Sequence, residues 1–200
     1  MIGFRRVSVA SLGVLALGVG PVRAADSPWR VERGEVRVTV PLKPGGAFEA
    51  TSVAVSGTVT PGGARPVSLA GEIVLDLAAL DTGIELRNRH LRGKYLELAK
   101  GRGFDRAVLS EIVVSEAGGA DFQGRSAFTG ALQLHGVKRS ISGAAEFRRQ
   151  GPAARVDASF PLTLTDFSID PPEYLGVGVA NKVMVRVQLV VAPARGAAAP

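Results

Sequence analysis

Two histidines and no cysteine bound the chemistry open to this chain. His90 and His135 stand far apart, and neither has another His, Asp or Glu at i+2 or i+4, the spacing that brings two ligands onto one metal. No metal site is expected. A Gly-x-Ser-x-Gly elbow and a Gly-x-x-x-x-Gly-Lys phosphate loop are both missing. Asp76, Asp81 and Glu85 are close enough in sequence to suggest a carboxylate pair. The simpler reading gives them a solvated strand end and the positive end of a helix: Asp81 precedes a helical stretch and Glu85 falls in its first turn. His90 would hydrogen-bond near that helix start and hold the helix in place, and His135 would bond backbone in a turn. No catalytic residue is assigned, and the chain reads as a binding protein, not an enzyme.

The stretch that carries most of this chemistry is the single clear helix candidate, about residues 84–100. Leu91, Tyr95 and Leu98 fall at i, i+4 and i+7, with Ile84 one heptad before Leu91. Arg87, Arg89, Arg92 and Lys94 crowd its other positions, and Lys100, Arg102 and Arg106 follow. A solvated helix face accounts for this run, and attraction to an anionic membrane surface is the sharper alternative. A short basic helix between long β-segments suggests a lid or plug on a barrel.

The ends read differently from the middle. Arg5 and Arg6, the uncharged run Val7 to Gly20, and Val22-Arg23-Ala24 together match a secretion signal cut after Ala24, so residues 1–24 are expected to be removed and the protein to be periplasmic or secreted. The apolar run is short for a bilayer span, which takes about 20 residues. Without the leader the chain keeps 21 Lys+Arg against 18 Asp+Glu, a net charge of +3. That balance and the expected export argue against a nucleic-acid partner. With no cysteine, neither disulfides nor a lipid-modified cysteine anchor can help the fold. Residues 192–200, rich in Ala and Pro, are expected to be a disordered tail. The span 25–191 suits one domain with one sizeable core.

That domain alternates as β-sheet does. Val36, Val38, Val40 and Leu42 are spaced by two, and Lys43-Pro44-Gly45-Gly46 ends the run. Further strands are expected around Val53 to Val59, Ser68 to Leu80, Ala107 to Ser115, Phe122 to Leu134, Ser140 to Arg148, Val156 to Leu164 and Ala180 to Val191. About eight long amphipathic strands joined by Gly/Pro turns predict an all-β fold, an eight-stranded antiparallel barrel with one wet face. Gly57, Gly71, Gly130 and Gly143 are candidate bends.

Several motifs then point to a family. Leu80-Asp81-Thr82-Gly83 followed by Arg87-Asn88-Arg89-His90-Leu91, then Leu132-Gln133-Leu134-His135-Gly136-Val137-Lys138, then Thr165-Asp166-Phe167-Ser168-Ile169, and a last strand from Asn181 to Val191 occur in the order seen in the YceI family. The chain resembles that family over about residues 29–191. Arg87, His90, His135 and Asp166 match its structural motif positions. Asn88, Leu164, Ser168 and Asn181 depart from the usual Asp, Arg, Gly and acid, which removes charges near the expected mouth. The resemblance implies a lipocalin-like exported protein that holds an isoprenoid or isoprenoid-quinone chain in an apolar barrel as carrier or buffer, with no cofactor beyond that lipid. A homodimer is left open. The alternative is an exported stress or interaction protein whose barrel is filled by its own side chains.

Candidate wall residues are the apolar alternates Val38, Val40, Val53, Val55, Val74, Phe128, Leu132, Leu134 and Phe167, with Leu91, Tyr95 and Leu98 from the helix. Tyr95 suits a mouth, because its ring can touch a tail while its hydroxyl meets a polar head. A register error of one residue would exchange inside for outside.

Overall fold

In the computed structural model, which describes residues 27–63, 65–116, 123–174 and 177–194, the alternating segments become strands of one antiparallel sheet. In chain order these are β1 (Trp29–Lys43), β2 (Ala47–Ser52), β3 (Val55–Gly62), β4 (Val67–Asp76), β5 (Arg106–Val114), β6 (Gly124–Leu134), β7 (Val137–Gln150), β8 (Ala153–Thr163), β9 (Glu173–Tyr174), β10 (Val177–Val179) and β11 (Lys182–Pro193). The expected leader and most of the expected tail lie outside the described residues. The sheet closes because β1 pairs with β2 and β3 on one side and with β11 on the other. The segments β2 and β3 act as one interrupted strand. The ring therefore has eight strands among the described residues, as expected, and the pairing of β1 with β11 closes it. The small hairpin β9–β10 rises above it beside the end of β1.

Several expected boundaries move. The strand after Val67 stops at Asp76, where Leu77–Ala79 turns as a short 3-10 helix with Ala78 N–H donating to Asp76 Oδ1. The last strand runs on to Pro193, past the expected start of the tail, because Trp29 and Arg30 pair with Pro193 and Ala192. Bends fall where glycine permits them. Gly71 sits at φ +112° beside the register shift between Leu69 and Glu72, a bulge that bends β4. At Gly143 a Cβ would come within 2.3 Å of the Ser159 carbonyl, so only glycine allows β7 and β8 to approach so closely there.

The helix forms, but in three pieces. The α-helical part α1 is Glu85–His90, a wider π-type turn covers Leu91–Tyr95, and a 3-10 turn covers Leu98–Lys100. Gly93 in the middle weakens the regular helix, Leu96 N–H reaches back to Leu91 O, and Glu97 then leaves the helical region at φ +50°. No helix among the described residues is long and apolar enough to cross a membrane. All the strands share one orientation scheme: the end of β3, the start of β4 and the turn 151–152 lie at one end, called the floor, with Trp29. The helical segment 77–105, the hairpin turn at His135-Gly136 and the segments 164–174 and 177–181 lie at the other end, called the mouth.

Candidate functional site

Strand alternation places one row of side chains from every strand inside the ring. Those rows do not meet: they enclose a cavity of about 850 Å³. Its wall is built from the inward residues of β1 (Val36, Val38, Val40), of β4 (Ile73, Leu75), of β6 (Phe128, Leu132, Leu134) and of β11 (Val183, Val185, Val187, Leu189), together with the remaining strands. The polar side chains on the lining are few: Thr82, Arg87, His90, Lys94 and Glu173, all from the mouth segments. Ile84 and Leu86 line the cavity yet are 50% and 54% exposed, so the cavity reaches solvent beside α1.

Eight of the twelve expected wall residues line this cavity: Val38, Val40, Val55, Leu91, Tyr95, Phe128, Leu132 and Leu134. Four do not. Val53 is 76% exposed. On β2 the inward residues are even-numbered (Phe48, Ala50), on β3 odd-numbered (Val55, Val59), and the phase changes at Val53-Ala54. There Ala54 N–H donates to Ser52 Oγ and Val55 N–H to Val53 O, which turns Val53 outward. Val74 is also on the outer face, because Ile73-Val74-Leu75 is apolar on both faces and pairing with β3 assigns the inside to Ile73 and Leu75. Leu98 is displaced because the π turn and the break at Glu97 bring Leu96 onto the wall instead. Phe167 is 2% exposed and belongs to the packed core, while its neighbours Leu164 and Ile169 take the wall positions. Trp29, at the floor, was not anticipated. It lines the cavity under the Arg149 guanidinium, 5.3 Å from its ring centroid, and its buried Nε1 has no hydrogen-bond partner.

The motif residues hold the mouth together. His135 begins a two-residue turn with Gly136, both at positive φ, the backbone that suits a tight hairpin. Its buried ring lies between two acceptors, the Phe167 carbonyl at 3.0 Å from Nδ1 and Glu97 Oε2 at 3.0 Å from Nε2, and each bond needs a ring N–H. Phe104 packs edge-on against it, and Gly136 N–H donates to Gly103 O. His135 thus joins the hairpin to both mouth segments. Lys100 Nζ, 2.7 Å from Glu97, is the main reason the Glu97 carboxyl is held below its ordinary range. Burial opposes this, and the His135 contact adds to it.

Asp81 does not cap α1, whose first turn follows Ile84 without a side-chain cap. It accepts instead from Gly83 N–H and from Asn88 Nδ2, both at 2.8 Å, and these bonds, Asn88 first, lower its proton affinity. Asn88 is buried and its Oδ1 accepts from Thr82 N–H and Oγ1. An amide does here what a carboxylate could not, since it donates to Asp81 and accepts from Thr82 at once. Asn181 plays a similar part, accepting from Thr165 N–H and donating to Thr165 Oγ1. Ser168 holds φ +57°, which explains why glycine suits this position. Arg87 lies over the Phe48 ring at 4.2 Å. His90 is exposed at the cavity rim and its ring makes no hydrogen bond among the described residues, so it does not hold the helix down as anticipated. Asp166 is exposed, and its backbone carbonyl, not its side chain, accepts from Arg139 Nε.

A closed antiparallel barrel around an apolar cavity, with a helical lid at one end, defines the class of small barrels that can hold one elongated ligand. The YceI-like domain model matches residues 29–191, and the chain belongs to that family. Among solved structures it is similar to Burkholderia cenocepacia BcnA, with a TM-score of 0.61 and 19% identity over 78% of this chain and 95% of that one. It is similar to a polyisoprenoid binding domain from Saccharophagus degradans, with a TM-score of 0.61 and 16% identity over 83% and 98%. It is also similar to the YceI protein of Campylobacter jejuni, with a TM-score of 0.50 and 13% identity over 94% of both chains. At these identities the likeness speaks for the fold. No curated protein matches the chain by sequence. Among the described residues no group of three or more His, Cys, Asp or Glu is placed to hold a metal ion.

Proposed function

We propose that this protein is an exported carrier or buffer that encloses a single isoprenoid chain, free or as the tail of a quinone, in its barrel. The observation that carries the reading is the cavity: about 850 Å³, walled by aliphatic and aromatic side chains, and reaching solvent beside the lid. That volume lies within the range of roughly 300–1,000 Å³ typical of ligand pockets. A filled barrel would leave no such space, which weighs against a purely structural interaction protein. The polyisoprenoid binding domain from Saccharophagus degradans shares the fold. Burial of one five-carbon unit contributes up to about 3–4 kcal/mol, at about 0.8 kcal/mol per methylene. Association costs on the order of 4–15 kcal/mol, so a few units suffice and the tail dominates affinity.

Loading from a membrane fits the same picture. Arg89 and Lys94 are exposed on the lid, which also carries the half-exposed Ile84 and Leu86, so the mouth can approach an anionic bilayer. Mass spectrometry of lipid co-purified with the exported protein tests the reading. A stoichiometric isoprenoid is the expected result. No bound lipid, together with failure to take up added isoprenoid alcohols or quinones, would remove it.

A further inference from the structure

The lid is anchored at both ends, and the two anchors differ in chemistry. Its start is held by the bonds among Asp81, Thr82 and Asn88, with Asp81 paired through its backbone to Thr51 of β2. Its end is held by the His135 ring, at Glu97, where the chain leaves the helical turns just after the wall residues Tyr95 and Leu96. The His135 side chain is 8% exposed and lies between Glu97 Oε2 and the Phe167 carbonyl, each 3.0 Å from a ring nitrogen. A carbonyl and an ionised carboxylate only accept. Lys100 Nζ, 2.7 Å from the same Glu97 oxygen, holds that carboxyl below its ordinary range, so it stays ionised. A neutral imidazole has a single N–H. Either tautomer would satisfy one acceptor and turn a lone pair on the other. The closed mouth therefore fits an imidazolium, which donates from both nitrogens. Among the described residues Glu97 is the one carboxylate within ion-pair distance of the ring. The charged groups on neighbouring segments are engaged elsewhere or face solvent: Lys138 pairs with Glu111, Arg139 donates to the Asp166 carbonyl, Asp105 pairs with Arg106, and the Arg102 and Asp166 side chains are exposed.

We propose that His135 and Glu97 form a proton-held latch on the lid, so that the barrel exchanges its lipid faster as pH rises through the range in which histidine loses its charge. The latch stands on this geometry, and its part in lipid exchange rests on the isoprenoid reading above. Closing the lid binds a proton that opening releases, so a rise in pH favours the open form, by up to about tenfold per pH unit. Histidine changes charge between about pH 5 and 8. The anchor at Asp81, whose carboxyl titrates below its ordinary value of 3.8, keeps its charge throughout that range. The lid therefore loosens at its Glu97 end. Tyr95 and Leu96 line the cavity beside that end, so its release moves part of the wall.

Hydrogen exchange of residues 85–104, corrected for intrinsic rates, tests the latch without any ligand. Opening of the lid should rise about tenfold between about pH 5.5 and about pH 8, while β7 and β8 hold constant. Release of preloaded geranylgeraniol should accelerate in parallel. Trp29 is the single tryptophan and lines the cavity, so its fluorescence follows that release. Glu97→Gln is the discriminating variant. A glutamine amide donates to a neutral Nε2 while Nδ1–H keeps the Phe167 carbonyl, so this lid should stay closed at both pH values. His135→Asn accepts the positive φ of the position and does not titrate, so its lid should be loose at both. Equal wild-type exchange at the two pH values, or a pH slope that persists in Glu97→Gln, would overturn the latch. A lid that responds to pH while geranylgeraniol release does not would overturn its part in lipid exchange. Failure to bind geranylgeraniol at either pH would count against the isoprenoid reading, and hydrogen exchange would still decide the latch.

Discussion

At the floor of the barrel Trp29 pairs with Val59 and Pro193, its ring lies under Arg149, and a two-residue turn joins β7 to β8. At the mouth two connections are long: residues 77–105 and 164–174 carry helical turns, and β9 and β10 pair as a small hairpin. The floor is held by strand pairing and apolar packing. The mouth is held by side-chain hydrogen bonds from His135, Asn88, Asp81, Glu97 and Asn181. The difference teaches where motion and specificity reside. Polar bonds near water are worth about 0.5–1.5 kcal/mol each, so the mouth can open locally while the floor stays closed.

The comparison can be broken most directly at the floor. Trp29→Ala should cost about 3–5 kcal/mol of global stability, read from urea unfolding. Trp29→Phe should cost far less, because it keeps a ring and removes an unpartnered N–H. A floor that tolerates Trp29→Ala would abolish the distinction. Filling the cavity should separate fold from function: Ala145, buried on the wall of β7, replaced by Phe should leave the circular dichroism of the barrel intact. Displacing one isoprene unit, about 3 kcal/mol, should lower tail affinity about a hundredfold in a fluorescence titration.

At the mouth the effects should be smaller and local. His135→Ala strands the Phe167 carbonyl and should cost about 1–3 kcal/mol, with faster hydrogen exchange in 85–104 and little change in β7–β8. Ser168→Gly should stabilise by about 1 kcal/mol, since a side chain in the left-handed region costs roughly 1–2 kcal/mol. The thermal midpoint would show it. His90→Ala should stay within about 0.5 kcal/mol of wild type, as a surface change does.

Acid should loosen the mouth first. Glu97 and Asp81 both titrate below their ordinary values of 4.5 and 3.8 in the folded chain. A depressed carboxylate stabilises the folded state above its unfolded pKa, and that contribution is lost as pH falls through the folded pKa. Hydrogen exchange corrected for intrinsic rates should therefore show the lid loosening in acid below the ordinary carboxylate range, ahead of the floor strands. Simultaneous loosening of both ends would refute the division.

Strand alternation, Gly/Pro turns and the basic amphipathic stretch were enough to read a closed barrel with a helical lid, because periodicity is a local property of the chain. The motif around His135 was legible as a turn for the same reason. Tertiary structure decided the rest. The phase change at Val53-Ala54 turns Val53 outward, pairing with β3 chooses Ile73 over Val74, and the π turn brings Leu96 rather than Leu98 to the wall. Each depends on where a strand or helix shifts by one residue, and apolar runs on both faces leave no pattern to show it. The cavity itself is also a tertiary outcome. Whether inward rows touch depends on how widely eight strands close, and the side chains alone do not state that distance.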